Sequence, residues 1–578
     1  MQTRIPLSLF GLILAACAAF AQQSDTEAAA RLKEQRRAIL IAKVAADADQ
    51  LKLSENRAIL SSRLGAVVWK SDQEQGKKLF EAAVSELNAA QQEAEAAKRN
   101  AHLFNDLLNS QNIRPQILNT IASVDPQYAL ESLYRTRPTN VARAMAGEAS
   151  EKVDDQGHNR GYIAQAEVNL EQRLLRMVAD KNPEKAEAIL RDMISKRLSN
   201  VTHESLRKLY SLDGAAANGL ANDVLARLNS AAFISNGQPV YDLLQLSSSI
   251  IADHIRERSP DEKSLTFNDS AVRSLAIKLL GTYIQNVSRI GYLPLDQLEP
   301  ITRKYAPAQL DRLRKAAEST RYGWGGRRPL PTNPEYDEFM KSDPSADQLV
   351  QNAGRFSPDV QRQLYQSAAN KFSEAGLYQN ALTLLNAKFD GEALENAVSS
   401  LNSNYANYLM NKGDFDTAEA TMLEFHENLR VSALTSLAQA IFNRNPAENK
   451  NRAAGVLRRV RLLLPQNPET NNDINQLFAF INATALIDPS ESFATLEPLI
   501  DQINTLTHAF SIVQAYQGGQ MRHGEYQLAG GMNFGVHVDQ TMFRSLSIAD
   551  FERTNALIDS LSRLEMRISI RLYLAENL

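Results

Sequence analysis

Four of the seven Asp-Pro or Asn-Pro dipeptides in this chain each lie between two stretches whose apolar residues recur every three or four positions. Asp or Asn caps the first free N–H groups of a helix. Proline suits the next position because its fixed φ is helical and it has no N–H group to satisfy. Each dipeptide therefore predicts the start of a helix that packs against the preceding one. The four are Asp125-Pro126, Asn182-Pro183, Asn445-Pro446 and Asp488-Pro489.

The spacing of these dipeptides indicates a repeat architecture. The first two prolines are separated by 57 positions and the last two by 43, close to the period of about 34–47 residues in helical-hairpin repeats. One hairpin leaves an apolar face uncovered, so hairpins of this kind must stack. We predict an all-α chain of α-α hairpin repeats stacked as an α-solenoid or superhelix. We expect at least about 60% helix and no sheet of more than two strands.

The clearest internal similarity relates 365–385 to 402–422. Seven positions align with a constant separation of 37, and the shared pattern places small residues where two helices approach and a glycine where a helix ends in the left-handed conformation. The aromatic residue after each glycine is expected to fill the core of its hairpin. The first set is Tyr365, Ala369, Phe372, Gly376, Tyr378, Ala381 and Leu385; the second is Asn402, Ala406, Leu409, Gly413, Phe415, Ala418 and Met422.

The stretch 413–420, GDFDTAEA, resembles the tetratricopeptide repeat (TPR) family, and the resemblance extends over about 362–430. It implies binding of protein segments along a concave face, without catalysis. The chain departs from the family at Phe425, where a small residue is usual, at Arg430, where proline usually closes the repeat, and in its longer period. These departures favour a degenerate TPR-like solenoid of mixed hairpins. The aromatic and Arg anchors that we expect to contact a partner are Arg362, Tyr365, Tyr405 and Tyr408.

A segment rich in glycine and proline, 319–346, interrupts the helical pattern. Gly and Pro at this density indicate a linker or a wrapped loop. We therefore predict two helical blocks, an N-terminal one over 24–318 and a TPR-like C-terminal one over 347–578.

The first 21 residues have the pattern of a signal peptide. A basic start precedes a 12-residue apolar run over 5–16, and Ala19-Phe20-Ala21 supplies the small residues that a signal peptidase recognises. The run is shorter than the ~20 apolar residues needed to span a bilayer, and no later segment approaches that length, so no transmembrane segment is predicted in the mature chain. Lipidation of Cys17 is the alternative to cleavage after Ala21, because 14–17 resembles a bacterial lipobox. Both predict export to the periplasm or beyond.

The segment 518–539 holds six of the 25 glycines, all between positions 518 and 535, and interrupts the helices a second time. Two imidazoles and two carboxylates lie in or beside it, and such groups are metal ligands when they converge. A loop with solvated histidines is the alternative, and capture of a peptide by exposed backbone groups is another. The candidates are His523, Glu525, His537 and Asp539.

Composition and the absence of common motifs exclude several classes of function. Lys and Arg number 63 against 67 Asp and Glu, a net charge of −4, which argues against a nucleic-acid partner. A single Cys excludes a disulfide framework and a Cys-based metal site. The common nucleotide-binding and hydrolase motifs are absent, so we predict no cofactor. We expect an exported, non-catalytic scaffold that binds a protein or peptide at the bacterial cell envelope. The alternative is an envelope enzyme acting on polysaccharide or peptidoglycan.

Overall fold

The computed structural model describes most of the chain, and the signal-peptide residues lie outside it. The described residues are 25–97, 104–146, 160–235, 238–256, 264–290, 294–320, 336, 339–340, 342–425, 427–465, 468, 470–516, 521–528 and 539–578.

Helices account for 84% of these residues, which confirms the predicted all-α, solenoid-like fold. The helices that precede the Gly/Pro-rich segment are α1 Asp25–Ala48, α2 Ser54–Val68, α3 Gln73–Ala97, α4 Phe104–Ala122, α5 Pro126–Arg135, α6 Thr139–Ala146, α7 Arg160–Lys181, α8 Pro183–Lys196, α9 Thr202–Leu212, α10 Gly214–Ser230, α11 Tyr241–Ile255, α12 Asp269–Gln285, α13 Val287–Ile290, α14 Leu295–Tyr305 and α15 Leu310–Thr320.

The helices that follow the Gly/Pro-rich segment are α16 Ala346–Ala353, α17 Pro358–Glu374, α18 Tyr378–Lys388, α19 Gly391–Lys412, α20 Phe415–Leu423, α21 Glu427–Arg444, α22 Pro446–Leu463, α23 Asn471–Ile487, α24 Pro489–Leu496, α25 Ile500–Tyr516, α26 Gln540–Ala549, α27 Phe551–Asp559 and α28 Leu564–Asn577.

Strands in the described residues form two antiparallel pairs and nothing larger, as predicted. The first pair joins β1, Ile234–Ser235, to β2, Gln238–Pro239, and the second joins β3, Met521–Arg522, to β4, Glu525–Tyr526. In the part of the chain that the structure describes, no helix has the length and apolarity needed to cross a membrane.

The four Asp-Pro and Asn-Pro dipeptides that lie between helical patterns are at helix starts, with proline as the first residue of α5, α8, α22 and α24. The side chain of Asp125 accepts a hydrogen bond from the N–H of Tyr128, and that of Asp488 accepts one from Glu491. Asn182 and Asn445 make no such bond. At these two sites the helix therefore begins at proline without a hydrogen bond from the side chain of the preceding residue.

The chain divides into two compact units. One comprises residues 54–328, and the other joins residues 1–53 to residues 329–578. This division differs from the two predicted blocks, because α1 belongs with the C-terminal helices rather than with 24–318. The physical reason is that α1 packs along α28 within the same unit. The predicted linker 319–346 lies largely outside the described residues.

The unit at 54–328 has a continuous apolar core from α7 to α15. Its fully buried members come from consecutive helices and include Leu190, Leu206, Val224, Leu275 and Leu298. Each helix packs against its near neighbours in sequence. The core is thus extended by stacking, as expected of hairpin repeats.

In the other unit, the two hairpins that the sequence relates have matching backbones. Gly376 and Gly413 are left-handed, with φ of 78° and 84°. The N–H of Leu377 donates to the carbonyl of Phe372 at 2.7 Å, and the N–H of Asp414 donates to that of Leu409 at 3.0 Å. The two donors are 37 positions apart, and so are the two acceptors. Both helix ends are therefore closed by an equivalent hydrogen bond.

Candidate functional site

The paired hairpins, α17 with α18 and α19 with α20, contain every partner-contact residue predicted from the sequence. Their core is formed by buried residues of α16 to α19, including the fully buried Leu364, Ala381, Leu385 and Leu401. Since α17 packs against both α18 and α19, the side chains on these helices project from a fixed frame.

A stack of tyrosines joins the first hairpin to the second. The ring of Tyr378 lies 4.7 Å from that of Tyr405, and Tyr405 lies 6.1 Å from Tyr408, all in stacked orientation. The hydroxyl of Tyr378 donates to Asn402 Oδ1 at 2.7 Å, and burial raises the pKa of Tyr378. All three side chains are half-buried. Tyr405 and Tyr408 are therefore packing residues between hairpins that expose only part of each ring.

Tyr365 and Arg362 lie on α17. Tyr365 is half-buried against the core, and Lys388 Nζ lies 5.1 Å from its ring centre. Arg362 is exposed and makes no hydrogen bond or ion pair with any residue that the structure describes. Of the four predicted contact residues, Arg362 is the one that is fully available to a partner.

Three cations without a salt bridge lie over aromatic rings of these hairpins, and a fourth, Arg452, lies over Phe415 but pairs with Asp416. Lys388 faces Tyr365, Lys412 Nζ lies 4.9 Å from the ring centre of Tyr408, and the guanidinium of Arg444 lies 5.7 Å from that of Phe415. Within the described residues none of these three cations forms a salt bridge. A hydrogen bond with the hydroxyl of Tyr408 raises the pKa of Lys412. The three charges remain available to an incoming group.

A short row of amide side chains crosses from α17 to α19. Asn404 Nδ2 donates to Asn370 Oδ1 at 2.9 Å, and Gln366 Nε2 donates to the same oxygen at 3.4 Å. All three residues are half-exposed. We call Gln366, Asn370 and Asn404 the amide row. Its mutual bonds leave Asn370 Nδ2, Asn404 Oδ1 and Gln366 Oε1 without a described partner.

The structure does not bring together the three candidates of 518–539 that it describes. His537 lies outside the described residues. His523 is exposed in the turn between β3 and β4. Glu525 is buried, and its carboxylate accepts from the backbone N–H groups of Lys52 at 2.5 Å and Leu53 at 3.3 Å. Asp539 caps α26 through the N–H of Thr541 and accepts from Asn482. Among the described residues there is no group of three or more metal-ligating side chains.

The amide row was not predicted from the sequence. The available signal was the spacing of Gln366 and Asn370, which are four positions apart on one helix and so share a face. Nothing in the sequence showed that Asn404, on another helix, would join them. Polar residues at helical spacing usually mark a solvated surface, so this signal was not distinctive.

No protein-family model matches the sequence, and no curated protein matches it. A structural comparison returned a solved structure described as "Circular tandem repeat protein with novel repeat topology and enhanced subunit contact surfaces". The alignment covers 94% of this chain and 97% of that chain, at 12% identity and a TM-score of 0.11. A TM-score of this size supports no conclusion, so the assignment to an all-α repeat fold depends on the helices and their packing.

Proposed function

We propose that this protein is a non-catalytic helical-repeat scaffold that binds a segment of a partner protein on its paired hairpins. The hairpins are of a divergent TPR-like type. The observation that supports this proposal is a set of polar and charged groups without a described hydrogen-bond or salt-bridge partner, held on packed helices. Arg362, the amide row and three cations remain exposed or half-exposed on helices fixed by a buried core. Affinity would then come from a few anchors, as in most protein interfaces.

The proposal includes export. A basic start, an apolar run and the small residues before Gln22 support removal of residues 1–21, with acylation of Cys17 as the alternative. The scaffold would then act at the cell envelope, and its partner would be an envelope protein.

The experiment compares proteins captured by three forms of the mature chain from its own envelope fraction. The first is the natural chain, the second carries Arg362→Glu with Asn370→Asp, and the third carries Asn386→Asp. Asn386 is exposed on α18 and makes no described bond, so it is the matched control. We expect one partner to be retained by the natural chain and the control and lost from the double variant.

Equal capture by all three forms would contradict the assignment of the paired hairpins as the binding surface. Intact mass of the secreted protein tests export separately, because cleavage before Gln22 and acylation at Cys17 give different masses. A chain that retains Met1 in cells would contradict both.

A further inference from the structure

We infer that the amide row recognises the main chain of an extended segment, so that its ligand is an unfolded or extended stretch of polypeptide of tolerant sequence. This inference rests on the proposed function and names the class of ligand. It depends on one arrangement elsewhere in the same chain, where asparagines on a helix already bind an extended segment.

That arrangement lies in the unit at 54–328. Asn218 and Asn222 are half-exposed on α10, and they bond to the segment 264–268, which forms no helix and buries its residues at alternate positions, as an extended chain does. Asn218 Oδ1 accepts from the N–H of Thr266 at 2.8 Å. Asn222 Nδ2 donates to the carbonyl of Thr266 at 3.3 Å, and Asn222 Oδ1 accepts from the N–H of Asn268 at 3.1 Å. Two side-chain amides thus satisfy three main-chain groups.

Helix and strand geometry explain why this pairing works. Residues four apart on a helix are separated by about 6 Å along its axis, and residues two apart on an extended chain by about 6.6 Å. Asn218 and Asn222 therefore meet Thr266 and Asn268 in register. The side chains of Leu265 and Phe267 are buried. The two asparagines bond only to main-chain groups of the segment, so this contact does not depend on its side chains.

The amide row repeats this spacing. Gln366 and Asn370 are also four apart on one helix, α17, and Asn404 adds a third amide from α19 at 2.9 Å from Asn370. An amide side chain has two N–H donors and a carbonyl oxygen that accepts two hydrogen bonds. Asn370 Nδ2 is therefore placed to donate to a main-chain carbonyl, while Gln366 Oε1 and Asn404 Oδ1 accept main-chain N–H groups.

In the free protein the amides bond to one another, which holds their planes in place. Side chains fixed in this way lose less conformational entropy when a ligand binds. Gln363 is exposed on α17, one turn before Gln366 and on the same face of the helix. The ligand segment would run along this face, with residues two apart bonding to amides four apart, as Thr266 and Asn268 do on α10.

The test uses three synthetic peptides as probes, each fluorescently labelled. The first has the sequence of residues 260–272, the second has the same composition in scrambled order, and the third is the first with N-methyl groups at alternate positions. Binding to the full mature chain is followed by fluorescence anisotropy. We expect the first two to bind with dissociation constants within about threefold of each other, and the third to bind about tenfold more weakly, the effect of losing one or two hydrogen bonds.

Substitutions assign this binding to the amide row. Asn370→Asp keeps an oxygen for Asn404 and Gln366 but removes the donor, and we expect it to weaken both unmethylated peptides about tenfold. Asn404→Ala is a second variant that removes an acceptor, and Asn386→Asp controls for the added charge. Thermal melts of each variant establish that it is folded.

Four outcomes would overturn the inference: no binding of either unmethylated peptide, strong preference for one order of residues, indifference to N-methylation, or indifference to Asn370→Asp. In the last three cases a partner captured through the paired hairpins would still support the proposed function, with side chains rather than the main chain as its target. Loss of that capture would contradict the proposed function itself.

Discussion

Arg571 and Asp47 form an ion pair that joins the last helix of the chain to the first. Arg571 Nη1 lies 2.6 Å from Asp47 Oδ2, and the two side chains are only 2% and 11% exposed. Arg567 contacts the other oxygen of Asp47 at 3.3 Å, and Arg571 also pairs with Asp559. This group of charges fixes α1 on α27 and α28 within one unit, although the residues are 524 positions apart.

Replacing Arg571 with Met should destabilise the unit strongly. The buried carboxylate of Asp47 would keep only Arg567 as a partner, and breaking a buried pair costs about 3–5 kcal/mol. We expect a loss near the lower end of that range in the free energy of unfolding, measured by urea denaturation. Lys371→Met is the control, because its partner Asp343 is 92% exposed and exposed pairs contribute about 0–1 kcal/mol. Similar losses for both variants would show that burial of the Arg571 pair has no energetic importance.

The two related hairpins depend on small residues where their helices touch. Ala381 and Ala418 have no exposed surface, whereas Thr383, on the same helix as Ala381, is exposed. Ala381→Leu and Ala418→Leu should each cost roughly 1–3 kcal/mol by overpacking, and Thr383→Leu should cost little. Chemical denaturation of the three variants tests this. Negligible effects at all three positions would indicate that the separation of 37 has no structural meaning.

Gly376 has both a left-handed backbone and a close neighbouring side chain, whereas Gly391 has only the left-handed backbone. Both have positive φ, 78° and 51°, and an L-residue in this region costs about 1–2 kcal/mol. A Cβ at Gly376 would lie 2.7 Å from the Tyr408 hydroxyl, whereas one at Gly391 would meet nothing within 4 Å. We expect Gly376→Ala to lower the melting temperature more than Gly391→Ala. The reverse order would mean that Tyr408 yields without cost.

Acid should destabilise the unit at 54–328 through Glu167. Burial alone would raise the pKa of this carboxylate, but hydrogen bonds and charge from Arg114 and Arg137 outweigh burial and hold its pKa below the usual range. Because the unfolded chain then binds a proton more readily than the folded one, this stabilisation is present above pH ~4.3 and is lost as pH falls through the folded pKa. Glu167→Gln should flatten the fall of unfolding free energy below pH ~4.3. An unchanged slope would contradict this assignment.

The local rules of helix formation made most of the fold predictable. Proline at four helix starts, glycine at two left-handed helix ends and alanine at helix contacts each act within one or two turns, so the sequence around them is sufficient. The aromatic residue after each glycine was predicted only in part. Phe415 is 6% exposed, whereas Tyr378 is half-buried and stacks on the next hairpin.

The rest depends on contacts between residues far apart in sequence. The pairing of Asp47 with Arg571 has no local signal, so the packing of α1 on α28 could not be predicted from the sequence. Tyr405 and Tyr408 were expected to contact a partner because aromatic residues do so often, and the sequence did not show that they also stack with Tyr378. The amide row likewise requires two helices to be placed side by side before its chemistry becomes visible.

Site-specific photo-crosslinking is the most direct test of binding by the paired hairpins. A benzophenone side chain is placed at Gln363, beside the amide row on α17, or at Thr383, exposed on α18. Cells expressing each form are irradiated, and crosslinked products are identified by mass spectrometry. We predict crosslinked polypeptide from position 363, attached along an extended stretch, and none from position 383. Crosslinking from position 383 alone, or from neither position, would contradict the assignment of this surface as the binding site.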